Sequence, residues 1–257
     1  MAISTRGSLA VSRQWLMCSI FLGFSLVAAY YMRFSSPAEA VGSVMEDVLR
    51  PEPFIFPEKA IELRRDYSGI QAIDFPLSFL VAAFLPGADG WNKPFQLQQA
   101  YFLFSFFPVL AVFNVEAGRT RNTGALLSYT ALWAIPYQTV GGAIFIPLWF
   151  LCYTLTTSPV SYWQKSPQIP ADRARTLLPS LLFAYLLPTI LLYLPYKDVN
   201  TRQFMVGLWQ PSPIIVNLVW WILAKLSGTT TPRSAKPEHT ASYLKPIYTI
   251  GFLVSAG

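Results

Sequence analysis

Residues 98–158 read QQAYFLFSFFPVLAVFNVEAGRTRNTGALLSYTALWAIPYQTVGGAIFIPLWFLCYTLTTS. Two long apolar runs flank one knot of charge, Val115-Glu116-Ala117-Gly118-Arg119-Thr120-Arg121-Asn122. The runs lack the alternation of a half-buried strand and are too long for a soluble core helix, so they read as membrane-crossing helices. Between them, Glu116 and Arg119 lie one helical turn apart and can share a face.

The rest of the chain agrees with this reading. Of 257 residues, 53% are hydrophobic and 12% charged, which is too apolar and too charge-poor for a soluble domain of this length. The expectation is an all-α, polytopic transmembrane helical bundle of about seven spans, forming a single domain over residues 1–257. Trp15–Met32 is the first span. A cleaved signal peptide is the alternative there, since Ala38-Glu39-Ala40 resembles a cleavage site, but the run is longer than a signal core of about 7–15 residues. Residues 33–68 form a polar loop with room for a surface helix. Ile70–Leu85, Leu97–Val115, Leu177–Tyr196 and Phe204–Leu226 are further spans, and a last apolar run from Leu244 to Gly257 barely reaches across and looks cut short.

Gly124–Thr156 is the ambiguous segment. As straight helix it measures about 50 Å against about 30 Å of hydrocarbon. Pro136 and Gly141-Gly142 offer a break, so the segment crosses either once, tilted, or twice. Two crossings divide Lys and Arg more unevenly between the two sides, which favours the break.

The net charge of +6 is spread over many loops with no basic stripe, so the lipid bilayer, not nucleic acid, is the expected partner. Cys18 and Cys152 sit inside apolar runs without metal-ligand spacing, and His239 is the single histidine. No metal and no cofactor is expected. The chain has no Asp-rich motif to hold magnesium diphosphate, no glycine-rich phosphate loop and no nucleophile elbow. Proton transfer to an apolar substrate is the chemistry left open.

Carboxylates are few enough to sort. Of the 13, Asp74, Asp89 and Glu116 fall in or at the rim of apolar runs, where an ionisable group is costly unless paired or functional. Glu116 is either the acid of a site or half of an ion pair that closes a helix. Asp74 either caps the start of a span or touches substrate, and Asp89 is a turn residue. Gln138 lies mid-run beside Pro136, where an amide satisfies broken backbone or contacts a ligand. Most of the 19 Phe, 13 Tyr and 8 Trp suit lipid and interface positions. Tyr101, Phe104, Trp133, Tyr137, Trp149, Tyr153 and Trp209 are candidates to line a cavity and hold a carbocation by cation–π attraction.

Three sets of residues carry a resemblance: Ile73-Asp74-x5-Leu80-Val81-x2-Phe84-Leu85-Pro86 with Asp89-Gly90; Val115-Glu116-x2-Arg119-x-Arg121-Asn122; and Tyr137-Gln138-x2-Gly141-x-Ala143-Ile144-x2-Pro147-Leu148-x-Phe150 with Ser158-Pro159. In this order they resemble the fungal integral membrane terpene cyclases of meroterpenoid pathways, the ascofuranone and macrophorin type. The resemblance implies acid-initiated, metal-independent cyclisation of a farnesyl-type or epoxy-prenyl substrate in the endoplasmic reticulum membrane. It puts Asp74 and Glu116 forward as acids and Arg119, Asn122 and Gln138 as orienting partners; from the aromatics, Tyr137 and Trp133 are the expected substrate contacts. The chain departs from that family's Glu-x-x-Arg-x-Gly-Asn run by carrying Arg121 where the glycine stands. A small membrane transporter or scaffold of a biosynthetic cluster, with spans broken at Pro136 and Pro211, or a truncated inactive relative, are the alternatives.

Overall fold

The computed structural model describes residues 2–228 and 237–256, and they are almost wholly helical. The helices are α1 (Ala2–Arg33), α2 (Ser36–Leu49), α3 (Gln71–Ala88), α4 (Lys93–Gly118), α5 (Thr130–Pro136), α6 (Gly142–Thr157), α7 (Val160–Trp163), α8 (Ala171–Leu181), α9 (Leu187–Leu192), α10 (Val199–Trp209), α11 (Ser212–Gly228) and α12 (Pro237–Ala256). A two-stranded antiparallel hairpin, β1 (Ile55–Phe56) with β2 (Ile61–Glu62), is the one sheet among the described residues.

By length and composition, five segments are able to cross a bilayer: Arg13–Arg33, Gln71–Ala88, Lys93–Gly118, Thr130–Thr157 and Ala171–Leu192. The pair α10–α11 adds a sixth if its two halves, bent by 59°, act as one span. The bend falls at Gln210-Pro211, where proline removes a backbone donor and its ring crowds the preceding turn. That total is below the seven expected. The difference lies in α12, which carries Glu238, His239 and Lys245 in its first half and is not among the described segments able to cross.

The contacts divide the chain into two compact units, residues 1–39 with 113–170 and residues 40–112 with 171–257. In the first, α1 lies along α6. Ser25 Oγ donates to Ile144 O at 2.9 Å, Phe21 stacks on Phe150 at 5.5 Å, and Arg33 donates to Val140 O. The outward side of α1 carries Trp15, Phe24 and Leu26, each about 60% exposed, a surface suited to lipid rather than water.

The break at Pro136 is real but small. Residues Tyr137–Gly141 form a π-helical turn between α5 and α6, and the segment continues as one 28-residue helical stretch able to cross a bilayer rather than a hairpin. Gly141 has φ +144°, a conformation closed to L side chains, and Met32 packs where its Cβ would stand. The overlong run is resolved at its other end: Gly124–Tyr129 lies outside the helix, with a 3-10 turn at Leu126–Ser128, so the candidate span starts at Thr130.

In the second unit, α3 packs on α10, and α8 packs on α11 and α12. Asp74, Ser78, Val81, Ala82, Leu85 and Ala88 form one buried face of α3 at three- and four-residue spacing, while Ile73 and Phe75 point outward. The polar stretch 33–68 is largely ordered: it contains α2 and the hairpin, and buries Val48, Phe56 and Leu63. Gln203, fully buried on α10, holds its end by accepting from Arg64 N at 2.8 Å and donating to Glu62 O at 3.0 Å.

Candidate functional site

Glu116 occupies the last turn of α4, and the chain then folds back over it. Arg119 Nε donates to Glu116 Oε1 at 2.7 Å, and Arg121 Nη2 lies 3.8 Å from Oε2. Asn122, fully buried, donates from Nδ2 to the Glu116 backbone carbonyl at 2.7 Å and more weakly to Oε2 at 3.4 Å. Tyr162 from α7 then donates its hydroxyl to Asn122 Oδ1 at 2.9 Å. The Arg121 guanidinium lies over the rings of Tyr162 and Trp163, 4.6 and 5.0 Å from their centres. Strand-like contacts close the assembly: Thr120 N and Arg121 N donate to Gln168 O and Ser166 O, and Arg119 Nη1 to Pro167 O at 2.8 Å.

This is a clasp. Both oxygens of Glu116 face guanidinium nitrogens, which is the arrangement of a carboxylate and not of a carboxylic O–H aimed at substrate. Burial raises the pKa of the Tyr162 hydroxyl despite the opposing pull of Arg121, so its proton stays in the hydrogen bond to Asn122.

Asp74 is held differently. Its Oδ1 accepts from Ser68 N at 2.8 Å and from Ser68 Oγ at 2.7 Å, and its Oδ2 accepts from Gly69 N at 3.1 Å. It is not the N-cap of α3, a position taken by Ile70 without a side-chain bond, but reaches back from the first turn to tie the preceding loop. All three donors are neutral. Asp74 also lines a cavity of about 500 Å³ between α3, the end of α2 and the loop from Arg65 to Gly69. That volume falls in the range of small-molecule sites, about 300–1,000 Å³.

Asp89 turns out to be more than a turn residue. It caps the end of α3, accepts from Trp91 Nε1 at 2.6 Å and pairs with Arg202 Nε at 2.8 Å. Arg202 in turn donates to Leu194 O at 2.9 Å and lies over Tyr196. Arg202 was hard to find in the sequence, because its partner Asp89 is far away along the chain. Its one warning was an arginine four residues after Asp198 at the head of an apolar run.

Glu116, Arg119 and Asn122 are brought together, and Arg121 and Tyr162 join them. Trp133, Tyr137 and Gln138 belong to the same unit: Trp133 donates Nε1 to Leu126 O at 3.1 Å, Tyr137 is buried and Gln138 half-buried within the π turn. Asp74 belongs to the other unit. Of the remaining aromatics, Tyr101 is 68% exposed, whereas Trp209 is packed against Phe84 and Tyr185 with its Nε1 on Thr189 Oγ1. Trp149 is enclosed between Phe113 and Tyr153. Cys18 and Cys152 are free thiols, and the His239 side chain lies outside the described residues.

A family model described as the CtvD domain matches residues 17–256. The chain is 25% identical over 194 residues to "Terpene cyclase ascI" of Acremonium egyptiacum, covering 74% of this chain and 50% of that protein. It is 26% identical over 230 residues to "Terpene cyclase ctvD" of Aspergillus terreus, covering 85% and 62%, and 24% identical over 163 residues to "Terpene cyclase atmA" of Aspergillus flavus, covering 61% and 43%. The chain thus spans about half the length of the curated relatives it matches. No solved structure matches. With a match that runs across nearly all its helices, this chain belongs to the CtvD-domain family.

Proposed function

We propose that this protein is a multi-pass terpene cyclase of the endoplasmic reticulum membrane in a fungal meroterpenoid pathway, and that Asp74 is its acid. The substrate is a farnesyl-type chain, or its epoxide, carried on an aromatic unit. The proton on Asp74 passes to the epoxide oxygen or the terminal alkene. The resulting cation is attacked by the next double bond, and loss of a proton ends the cascade.

The observation that carries this reading is the setting of the Asp74 carboxyl. It faces a cavity of ligand size, and its donors are two backbone N–H groups and one hydroxyl rather than cations. Neutral donors of this kind stabilise the negative charge that develops as a proton leaves, without forbidding the protonated form. Oδ2 accepts one bond where Oδ1 accepts two, which makes Oδ2 the oxygen to carry the proton. Glu116, Arg119 and Asn122 serve as the clasp that fixes the end of α4. Gln138, Tyr137 and Trp133, around the π turn, are not among the residues that line the Asp74 cavity. The aromatic-rich helices supply an apolar setting in which a cation survives.

Expression in yeast with a prenylated aromatic substrate or its epoxide tests the assignment. A new cyclised product from the wild type that disappears with Asp74→Asn supports it. Uptake or export of the unaltered compound, with no new carbon skeleton, replaces the cyclase with a transporter.

A further inference from the structure

The cavity over Asp74 has a wall that proton chemistry on an isoprenoid chain does not use. Arg50, at the end of α2, and Arg65, in the loop before α3, both stand on it. Arg50 already has an exposed partner, Asp47, at 3.2 Å. Arg65 has no carboxylate at ion-pair distance among the described residues. Its Nη2 donates to Glu52 O at 3.0 Å, and its Nε is enclosed with no acceptor. A guanidinium presents five N–H donors in a planar fork that matches an oxyanion. Arg65 is half-buried on a cavity wall that Asp66 and Asp74 also border, yet neither of these carboxylates is at ion-pair distance, so it keeps donors for an anion from outside.

The lining also includes the apolar Leu49, Pro51 and Phe75, together with Asp66, Asp74 and Ser78. We propose that the cavity receives an amphiphile bearing one oxyanion, a carboxylate or phenolate, whose charge sits at Arg65 while its apolar part lies along Phe75 over Asp74. For the cyclase this makes Arg65 the residue that selects an acidic aromatic head group and fixes which part of the prenyl chain meets the acid. The proposal rests on the cyclase reading for the nature of the apolar part alone. It is read by binding, so it is able to fail while Asp74→Asn still abolishes product, and the reverse.

The test uses full-length protein in phosphatidylcholine nanodiscs, titrated by calorimetry with a farnesylated hydroxybenzoic acid and with its methyl ester. The acid binds the wild type about tenfold or more tightly than the ester, the gain from one charge-assisted contact. Arg65→Gln removes that preference while still binding the ester, which also shows that the variant is folded, and Arg65→Lys keeps part of it. Equal binding of acid and ester by the wild type overturns the proposal, as does a preference that persists in Arg65→Gln. If Arg65→Gln does not fold, the uncharged carboxamide decides: weak binding like the ester supports the proposal, and binding like the acid overturns it. Nanodiscs containing phosphatidylserine separate the two sources of an oxyanion. A retained acid preference assigns the site to the substrate, and its loss in the wild type assigns the site to a lipid head group and overturns the substrate assignment.

Discussion

Glu116 and Asp74 are both acidic residues within or at the end of apolar helices, and both are less than 10% exposed. Their partners separate them. Glu116 meets two guanidiniums and a buried amide, in a network that reaches from α4 to α7 and the 166–168 segment. Asp74 meets two backbone N–H groups and a serine hydroxyl from its own loop, and borders a cavity. Burial of an acid in an apolar helix therefore does not identify its task. Glu116 is committed to an ion-paired network, whereas the Asp74 carboxyl takes only neutral donors and borders a cavity.

Substitutions sharpen the contrast. The largest effect is expected for Asp74→Asn, which keeps the shape and removes the proton: product per folded protein falls about hundredfold or more, measured by chromatography of yeast extracts. Glu116→Gln acts on stability. It leaves Arg119 and Arg121 facing a neutral amide, at a cost of about 3 kcal/mol, read as a drop in melting temperature in detergent. Asn122→Ala strands the Glu116 carbonyl and the Tyr162 hydroxyl in a fully buried place and costs about 2 kcal/mol by the same assay. Loss of product with Asn122→Ala at full stability would break the comparison by making the clasp part of the chemistry.

Two smaller effects depend on pH. The raised pKa of Tyr162 means that the folded protein favours the neutral phenol, so this contribution is whole below the ordinary tyrosine value of about 10 and is lost as pH rises through the higher folded value. Tyr162→Phe removes that alkaline limb. Asp198 works in the opposite direction and more weakly. Its carboxylate caps α10 by accepting from the Thr201 hydroxyl and from Thr201 N and Asn200 N, and these bonds hold its pKa below the usual range. Its contribution is present above the ordinary carboxylate range and fades as pH falls through the lowered value, a limb that Asp198→Ala abolishes.

The sequence made the helical, membrane-suited class legible through its apolar runs, and the Glu116–Arg119 pair through its spacing of three. It did not reveal the second guanidinium. Arg121 is one residue too far to share that helix face, and it reaches Glu116 because the chain leaves α4 after Gly118 and turns at Thr120–Asn122. The Tyr162–Asn122 bond was hidden for a related reason, since it joins residues 40 apart. Asp74 resembled a cap because caps and loop ties use the same residue types before a proline, and the cavity beside it depends on how α2 and the Arg65–Gly69 loop fold. Five segments able to cross a bilayer, or six with the bent pair, stand against the seven expected, and α12, with Glu238, His239 and Lys245 in its first half, is not among them.

The most direct test of the central claim is a paired one: cyclised product per unit of folded protein, from yeast microsomes, for wild type, Asp74→Asn and Glu116→Gln. The account predicts that Asp74→Asn is folded and inactive, and that Glu116→Gln is less stable but active in its folded fraction. Full activity in Asp74→Asn together with a folded, inactive Glu116→Gln would contradict it.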